Sequence, residues 1–263
     1  MIKSYFGVVC VIAASCLWPV PVADAARPAG DAQDAAQAAP SARAAAPLDL
    51  TGYWVSLVTE DWRWRVVTPP VGDVLYLPVN AAGRKAAEAW DPARDEAGGE
   101  ACRAFGAGGV MRLPGRLHIT WADDETLTVE TDAGSQTRRF FFQTAPPLPE
   151  PTWQGRSAAS WQYHGVAPRG RTPAPASRRT GELRVITDQM RPGYQRRNGV
   201  PYSGQARLTE HWNTLTEPDG SVYLIVTTIL EDPIYLAAPY VRSYQFRTQA
   251  DATGGNPTAC AAL

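Results

Sequence analysis

Short stretches in which large apolar and polar residues alternate recur along most of this chain, and that two-residue period commits it to β-strands rather than helices. Tyr53 to Val58 and Trp62 to Val67 open the series; Tyr53, Val55 and Leu57 share one face of the first, and Trp62, Trp64 and Val66 share one face of the second. Leu117 to Trp121, Thr126 to Thr131 and Thr137 to Phe142 follow, linked by an acidic turn at Ala122 to Glu125 and a second turn at Ala133-Gly134, which predicts a meander. Further strands are expected at Glu182 to Thr187, Arg207 to Leu215, Val222 to Glu231 and Tyr240 to Arg247, with Pro218-Asp219-Gly220 supplying turn chemistry. Helix is confined to 81–90, where Asn80 can cap the start and Asp91-Pro92 ends the run. Glycine-rich 98–109 reads as a flexible loop, and the basic, proline-bearing stretch 165–179 as an exposed one. Eight or nine strands with short connections predict an all-β, antiparallel fold, a closed barrel or, alternatively, a β-sandwich.

The N-terminus carries a different signal. Lys3, the apolar stretch Tyr5 to Leu17 and the small-x-small site Ala23-Asp24-Ala25 predict a secretory signal peptide over 1–25. A competing reading makes Cys16, after Ala13-Ala14-Ser15, a lipid-attachment site. Residues 26–47 are half alanine, lack an apolar face and read as a disordered linker, which leaves 48–263 as one barrel domain. No segment has the roughly 18 to 20 uninterrupted apolar residues of a membrane helix, so no integral membrane segment is expected.

Of the four cysteines, Cys10 and Cys16 would leave with the signal. Cys102 and Cys260 remain, an even pair expected to form a disulfide in an oxidising periplasmic or extracellular compartment, the alternative being two separate buried thiols. A formal net charge of -1 argues against nucleic acid as a partner.

Two segments carry a resemblance. Pro151-Thr152-Trp153-Gln154-Gly155-Arg156-Ser157 with Trp161 after it, and Leu208-Thr209-Glu210-His211-Trp212 followed by Glu231-Asp232-Pro233-Ile234-Tyr235 and Pro239-Tyr240, are similar to the "PTWxGxS…W" and "DPxxYxxPW" motifs of a family of secreted bacterial proteins of uncharacterised function. Asp49-Leu50-Thr51-Gly52-Tyr53-Trp54 is similar to the start of that family. The resemblance implies a lipocalin-like barrel, and Gly52-Tyr53-Trp54 matches the Gly-x-Trp of lipocalin first strands. Tyr202-Ser203-Gly204 departs from the His-Ser-Glu of relatives, and 165–179 replaces a tight turn.

Candidate chemistry is sparse. His118, His164 and His211 are isolated from one another and from cysteines at ligand spacing, so no metal and no cofactor are expected. Gly155-Arg156-Ser157-Ala158-Ala159 lacks the pattern of a nucleophile elbow, and Gly106-Ala107-Gly108-Gly109 lacks the lysine of a phosphate loop. Strand parity is more informative. Leu208, Glu210 and Trp212 share a face, which places Glu210 inside with the larger apolar residues. An interior carboxylate needs a cation, for which Arg138 and Arg139 both stand beside phenylalanines.

These readings predict an exported barrel that binds a small apolar or aromatic molecule, with Trp54, Trp62, Trp64 and Trp212 as its wall. The alternative is a lipocalin-like lyase, isomerase or hydrolase with Glu210 as acid or base and Arg139 as its electrostatic partner. A structural ion pair is the plainer reading of the same two residues. A weaker alternative is a carbohydrate-contacting module.

Overall fold

The computed structural model describes residues 39–164 and 180–262. The predicted signal peptide, most of the linker and the loop 165–179 lie outside the described residues.

In chain order the elements are β1 (Gly52–Leu57), α1 (Trp62–Arg65), α2 (Ala81–Glu88), α3 (Pro92–Ala97), a 3-10 turn (Ala101–Phe105), α4 (Ala107–Val110), β2 (Arg116–Trp121), β3 (Thr126–Thr131), β4 (Gln136–Phe141), β5 (Arg156–His164), β6 (Thr180–Asp188), β7 (Gly193–Arg196), β8 (Val200–Tyr202), β9 (Arg207–Thr216), β10 (Val222–Glu231) and β11 (Tyr240–Gln249). Among the described residues nine strands close a barrel in the order β1-β11-β10-β9-β6-β5-β4-β3-β2, and β7 and β8 form a separate hairpin. The fold is therefore the all-β barrel and not the sandwich.

The barrel is mixed rather than purely antiparallel. β4 and β5 run parallel, with Phe140 opposite Ser157 and Phe141 opposite Ala158. A parallel neighbour needs a crossover instead of a hairpin. The proline-rich segment supplies it: residues 146–154 pass back along the outer face of β4 until Gln154 Nε2 donates to Gln136 Oε1 at 2.9 Å. β5 itself, with small residues inward at Ser157 and Ala159, was not legible as a strand.

Trp62 to Val67 is a correction. The segment forms the single-turn α1, with Trp62 65% exposed. The physical reason lies in closure: both edges of β1 are already taken by β2 and β11, so no free ladder exists for an alternating segment that follows it. Arg65 turns inward instead, donating to Arg112 O, Leu57 O and Ser56 Oγ.

Each end of the barrel is covered by chain. At the end where β1 begins, Trp161 Nε1 donates to Ala42 O at 2.8 Å, Ala42 N–H donates to Glu125 Oε1 at 3.1 Å, and Leu48 packs with Trp121, Phe142 and Trp161. The folded chain is thus engaged before Leu48, where the sequence reading began it. The last residues of the alanine-rich stretch are ordered because Trp161 and Glu125 offer their backbone a donor and an acceptor.

The opposite end is filled by segments 58–115 and 189–206. α2 is capped by Asn80, whose Oδ1 accepts from Gly83 N–H at 2.9 Å; Asp91, the expected stop, also caps α3, and Pro92 stands at the first helical position. The glycines expected to be a flexible loop are a second correction, since Ala107, Gly109 and Val110 of α4 are buried and pack against β7. A Cβ on Gly108 would lie 2.7 Å from Cε1 of Tyr202, and one on Gly106 would meet the Tyr202 hydroxyl. Glycine is needed here for close approach rather than for flexibility. Gly108→Ala is expected to destabilise the fold by about 1–3 kcal/mol through overpacking; a denaturant midpoint equal to wild type would show that Tyr202 can move aside.

Cys102 and Cys260 are joined, 158 residues apart in sequence. Among the described residues no helix is long and apolar enough to cross a membrane.

Candidate functional site

Strand parity placed Glu210 correctly. Leu208, Glu210 and Trp212 of β9 all face the interior, and Glu210 is 0% exposed. Its partner is Arg138: Nη1 donates to Oε1 at 2.9 Å and Nη2 to Oε2 at 2.5 Å, a bidentate pair with neither side chain exposed. Arg138 Nη2 also donates to Thr187 Oγ1 at 3.3 Å, and Thr187 exchanges a hydrogen bond with Ser157 Oγ at 2.8 Å. The pair crosses the barrel, because β4 and β9 are separated in the sheet by β5 and β6. The Arg138 guanidinium lies 4.9 Å from the Phe140 ring, which meets Trp212 edge-on at 5.4 Å.

Arg139 is the correction. It is exposed on the outer face of β4, beside Phe141 and Pro146. Phe140, Phe141 and Phe142 are consecutive, so either parity put an arginine next to an aromatic ring, and only the register of β4 on β3 separates them. With both oxygens of Glu210 held by one guanidinium, the arrangement is suited to fixing strands rather than to moving a proton.

The four tryptophans do not form one wall. Trp54 and Trp212 are 3% and 0% exposed and fill the barrel together with Ile119, Leu183, Leu224 and Phe246. Trp54 Nε1 donates to Leu50 O at 2.9 Å. Trp64, half-buried within α1, donates from Nε1 to Asp73 Oδ2 at 3.1 Å and meets Tyr76 edge-on, while Trp62 faces solvent.

A concave surface of about 400 Å³ lies outside, on the wall formed by β1, β2, β3 and β4. It is built on one cross-strand row. Tyr53 stands opposite His118, His118 opposite Glu130, and Glu130 opposite Thr137. These residues point outward because their neighbours Trp54, Leu117 and Val129 point in. The Tyr53 and His118 rings stack with centroids 4.2 Å apart and planes 6° from parallel, and His118 Nδ1 lies 2.9 Å from Glu130 Oε2. Arg116 Nε donates to Gln249 Oε1 at 2.7 Å beside them.

The far wall of this cleft is the C-terminal tail, through Ala252, Gly255 and Pro257. Asn256 N–H donates to Asp132 Oδ2 at 3.0 Å, Thr258 N–H to Asp132 O at 2.9 Å, and Ser135 Oγ to Thr258 O at 3.0 Å. The Cys102–Cys260 bond pins the tail two residues further on. The sequence contained every residue of the row, but the register that aligns them across four strands and the return of the tail are tertiary facts.

His211 belongs to a second outer pair, with Nδ1 2.6 Å from Glu182 Oε1, and Asn213 Nδ2 donates to Glu182 Oε2 at 2.8 Å. Although partial burial opposes it, these partners hold the Glu182 carboxyl below the usual carboxylate range. Among the described residues no three His, Cys, Asp or Glu side chains are grouped as metal ligands. In the motif residues, Asp232 accepts from the N–H and Oγ of Ser203 and is buried, so it joins the turn after β10 to the segment before β9.

No family model, no curated protein and no solved structure matches this chain.

Proposed function

We propose that the chain is an exported barrel that binds a small, flat, largely apolar or aromatic molecule on its outer wall, in the cleft between the Tyr53–His118 stack and the C-terminal tail. The stacked pair carries this reading. The two rings are stacked face to face, which fixes them as one aromatic block, and the cleft beside them has the volume of a small-molecule site. Glu130 and Arg116 supply polar groups at its edge that can orient a ligand. The disulfide supports export, because such bonds persist in oxidising compartments. The resemblance to a secreted family belongs to the same proposal. Binding is preferred to catalysis at Glu210 because that carboxylate is sealed in the core, whereas the cleft is open to solvent.

The test is titration with the neutral probe N-phenyl-1-naphthylamine, followed by fluorescence, with a panel of oligosaccharides in parallel. Wild type is expected to bind the probe saturably, and Tyr53→Ala to bind it roughly tenfold more weakly, the equivalent of about 1.4 kcal/mol, with an unchanged unfolding midpoint. Equal binding by both proteins would move the site elsewhere. A response to oligosaccharides alone would make the cleft a carbohydrate-contacting surface.

A further inference from the structure

Among the described residues, four arginines gather around Arg112 at the end of the barrel filled by segments 58–115 and 189–206. Arg65 and Arg196 are 1% exposed and Arg112 is 3% exposed, while Arg197 and Arg242 border them half-buried. Two carboxylates touch the group. Asp61 Oδ2 lies 3.1 Å from Arg242 Nε and 3.6 Å from Arg112 Nη1, and Asp73 Oδ1 lies 3.9 Å from Arg196 Nη1. Glu60 acts on Arg65 only through its charge. Buried charge of one sign is therefore in excess, and desolvation followed by the Arg112 charge brings Arg196 down to about 10.

Most of the N–H groups here are engaged. Arg65 donates to two carbonyls and a serine hydroxyl, Arg197 Nη2 to Arg65 O and Val66 O, and Arg196 through both terminal nitrogens to Asp73 O and Leu75 O. Among the described residues, three buried nitrogens of this group have no acceptor: Arg112 Nε, Arg112 Nη2 and Arg196 Nε. The two on Arg112 are not an arbitrary pair. Nε and Nη2 form the side-on edge of a guanidinium, whose parallel N–H bonds match two oxygens of one carboxylate or phosphate. The third corner, Nη1, donates to Tyr240 Oη at 3.1 Å, which sets the direction of the free edge. Tyr244, buried on the same face of β11, also interacts with Arg112. Asp61 and Arg242, with side chains 18% and 28% exposed, are the solvent-facing rim.

We infer that the Nε–Nη2 edge of Arg112, with Arg196 as the neighbouring charge, is a binding site for the oxyanion group of a small molecule, a carboxylate or a phosphate. A single oxyanion satisfies both free donors and offsets the excess positive charge, which no carboxylate among the described residues does. The site shares no residue with the outer cleft, so the two stand or fall separately.

The experiment compares inorganic phosphate and acetate with chloride at equal ionic strength, by titration calorimetry and by thermal unfolding of the wild-type protein. Saturable heat and a rise in Tm with at least one of the two oxyanions are expected; phosphate alone marks a tetrahedral group, acetate alone a carboxylate, and both a shared oxyanion site. Arg112→Lys keeps the charge and removes the fork, and is expected to weaken binding about tenfold or more. Absence of any oxyanion-specific effect in wild type overturns the inference without need of a variant. So does an oxyanion effect that survives Arg112→Lys undiminished. Tyr53→Ala is expected to leave the oxyanion response unchanged.

Discussion

Glu210→Ala is expected to cost about 3–5 kcal/mol of folding stability, because it leaves the Arg138 guanidinium charged and unpaired inside the barrel. Both side chains of the pair are 0% exposed, so bulk solvent does not reach the guanidinium that is left behind. The removed group also bridges β4 and β9 across the lumen, and of its hydrogen bonds among the described residues Arg138 would keep the long one to Thr187. Replacing both partners by apolar residues, Arg138→Met with Glu210→Leu, is expected to recover most of the loss, since the desolvation cost of two charges disappears with their attraction. Chemical denaturation of the two single variants and the double variant measures the coupling. Single-variant losses below about 1 kcal/mol would mean that the pair is hydrated in solution and not the sealed cross-brace described.

Cys260→Ser is expected to have a comparable effect. The bond closes a loop spanning 158 residues, for which the chain-entropy relation gives about 5 kcal/mol of destabilisation on removal. It has a functional consequence as well. Asn256 and Thr258 hold the tail to Asp132 by backbone hydrogen bonds, and without the covalent anchor those exposed contacts alone must keep the wall of the cleft in place. Reduction is therefore expected to lower the unfolding midpoint and weaken N-phenyl-1-naphthylamine binding together. A midpoint insensitive to reductant would remove the bond from any account of stability. Probe binding insensitive to it would separate the tail from the site.

The residues that were legible share a physical property, namely that their placement depends on local pattern. Glu210 went inside because Leu208 and Trp212 flank it at period two, and burial of a whole strand face follows that pattern. Cys102 and Cys260 were the one even pair outside the N-terminal segment, and the structure joins them. The meander of β2, β3 and β4 followed from two turns of ordinary chemistry. Arg138 and Arg139 could not be separated by the same means, because three successive phenylalanines erase the alternation that parity needs.

Other features depend on what the rest of the chain has already occupied. Trp62 to Val67 alternates as well as any strand, yet β2 and β11 exhaust the pairing capacity of β1, and the segment becomes a helical turn that sends Arg65 inward. Gly106 to Gly109 looks like slack and is closely packed, because Tyr202 arrives from 94 residues later in the chain than Gly108.

The sequence by itself determined the β-architecture, the inward face of β9 and the pairing of Cys102 with Cys260, since each follows from a period or a count. Tertiary structure alone decided which arginine meets Glu210, where the tryptophans go, and that Tyr53, His118 and Glu130 form one row beneath a returning tail. It also decided that Arg112 keeps a free edge. Register, closure and the order in which hydrogen-bond donors find acceptors are properties of the assembled barrel, and no local window of the chain contains them.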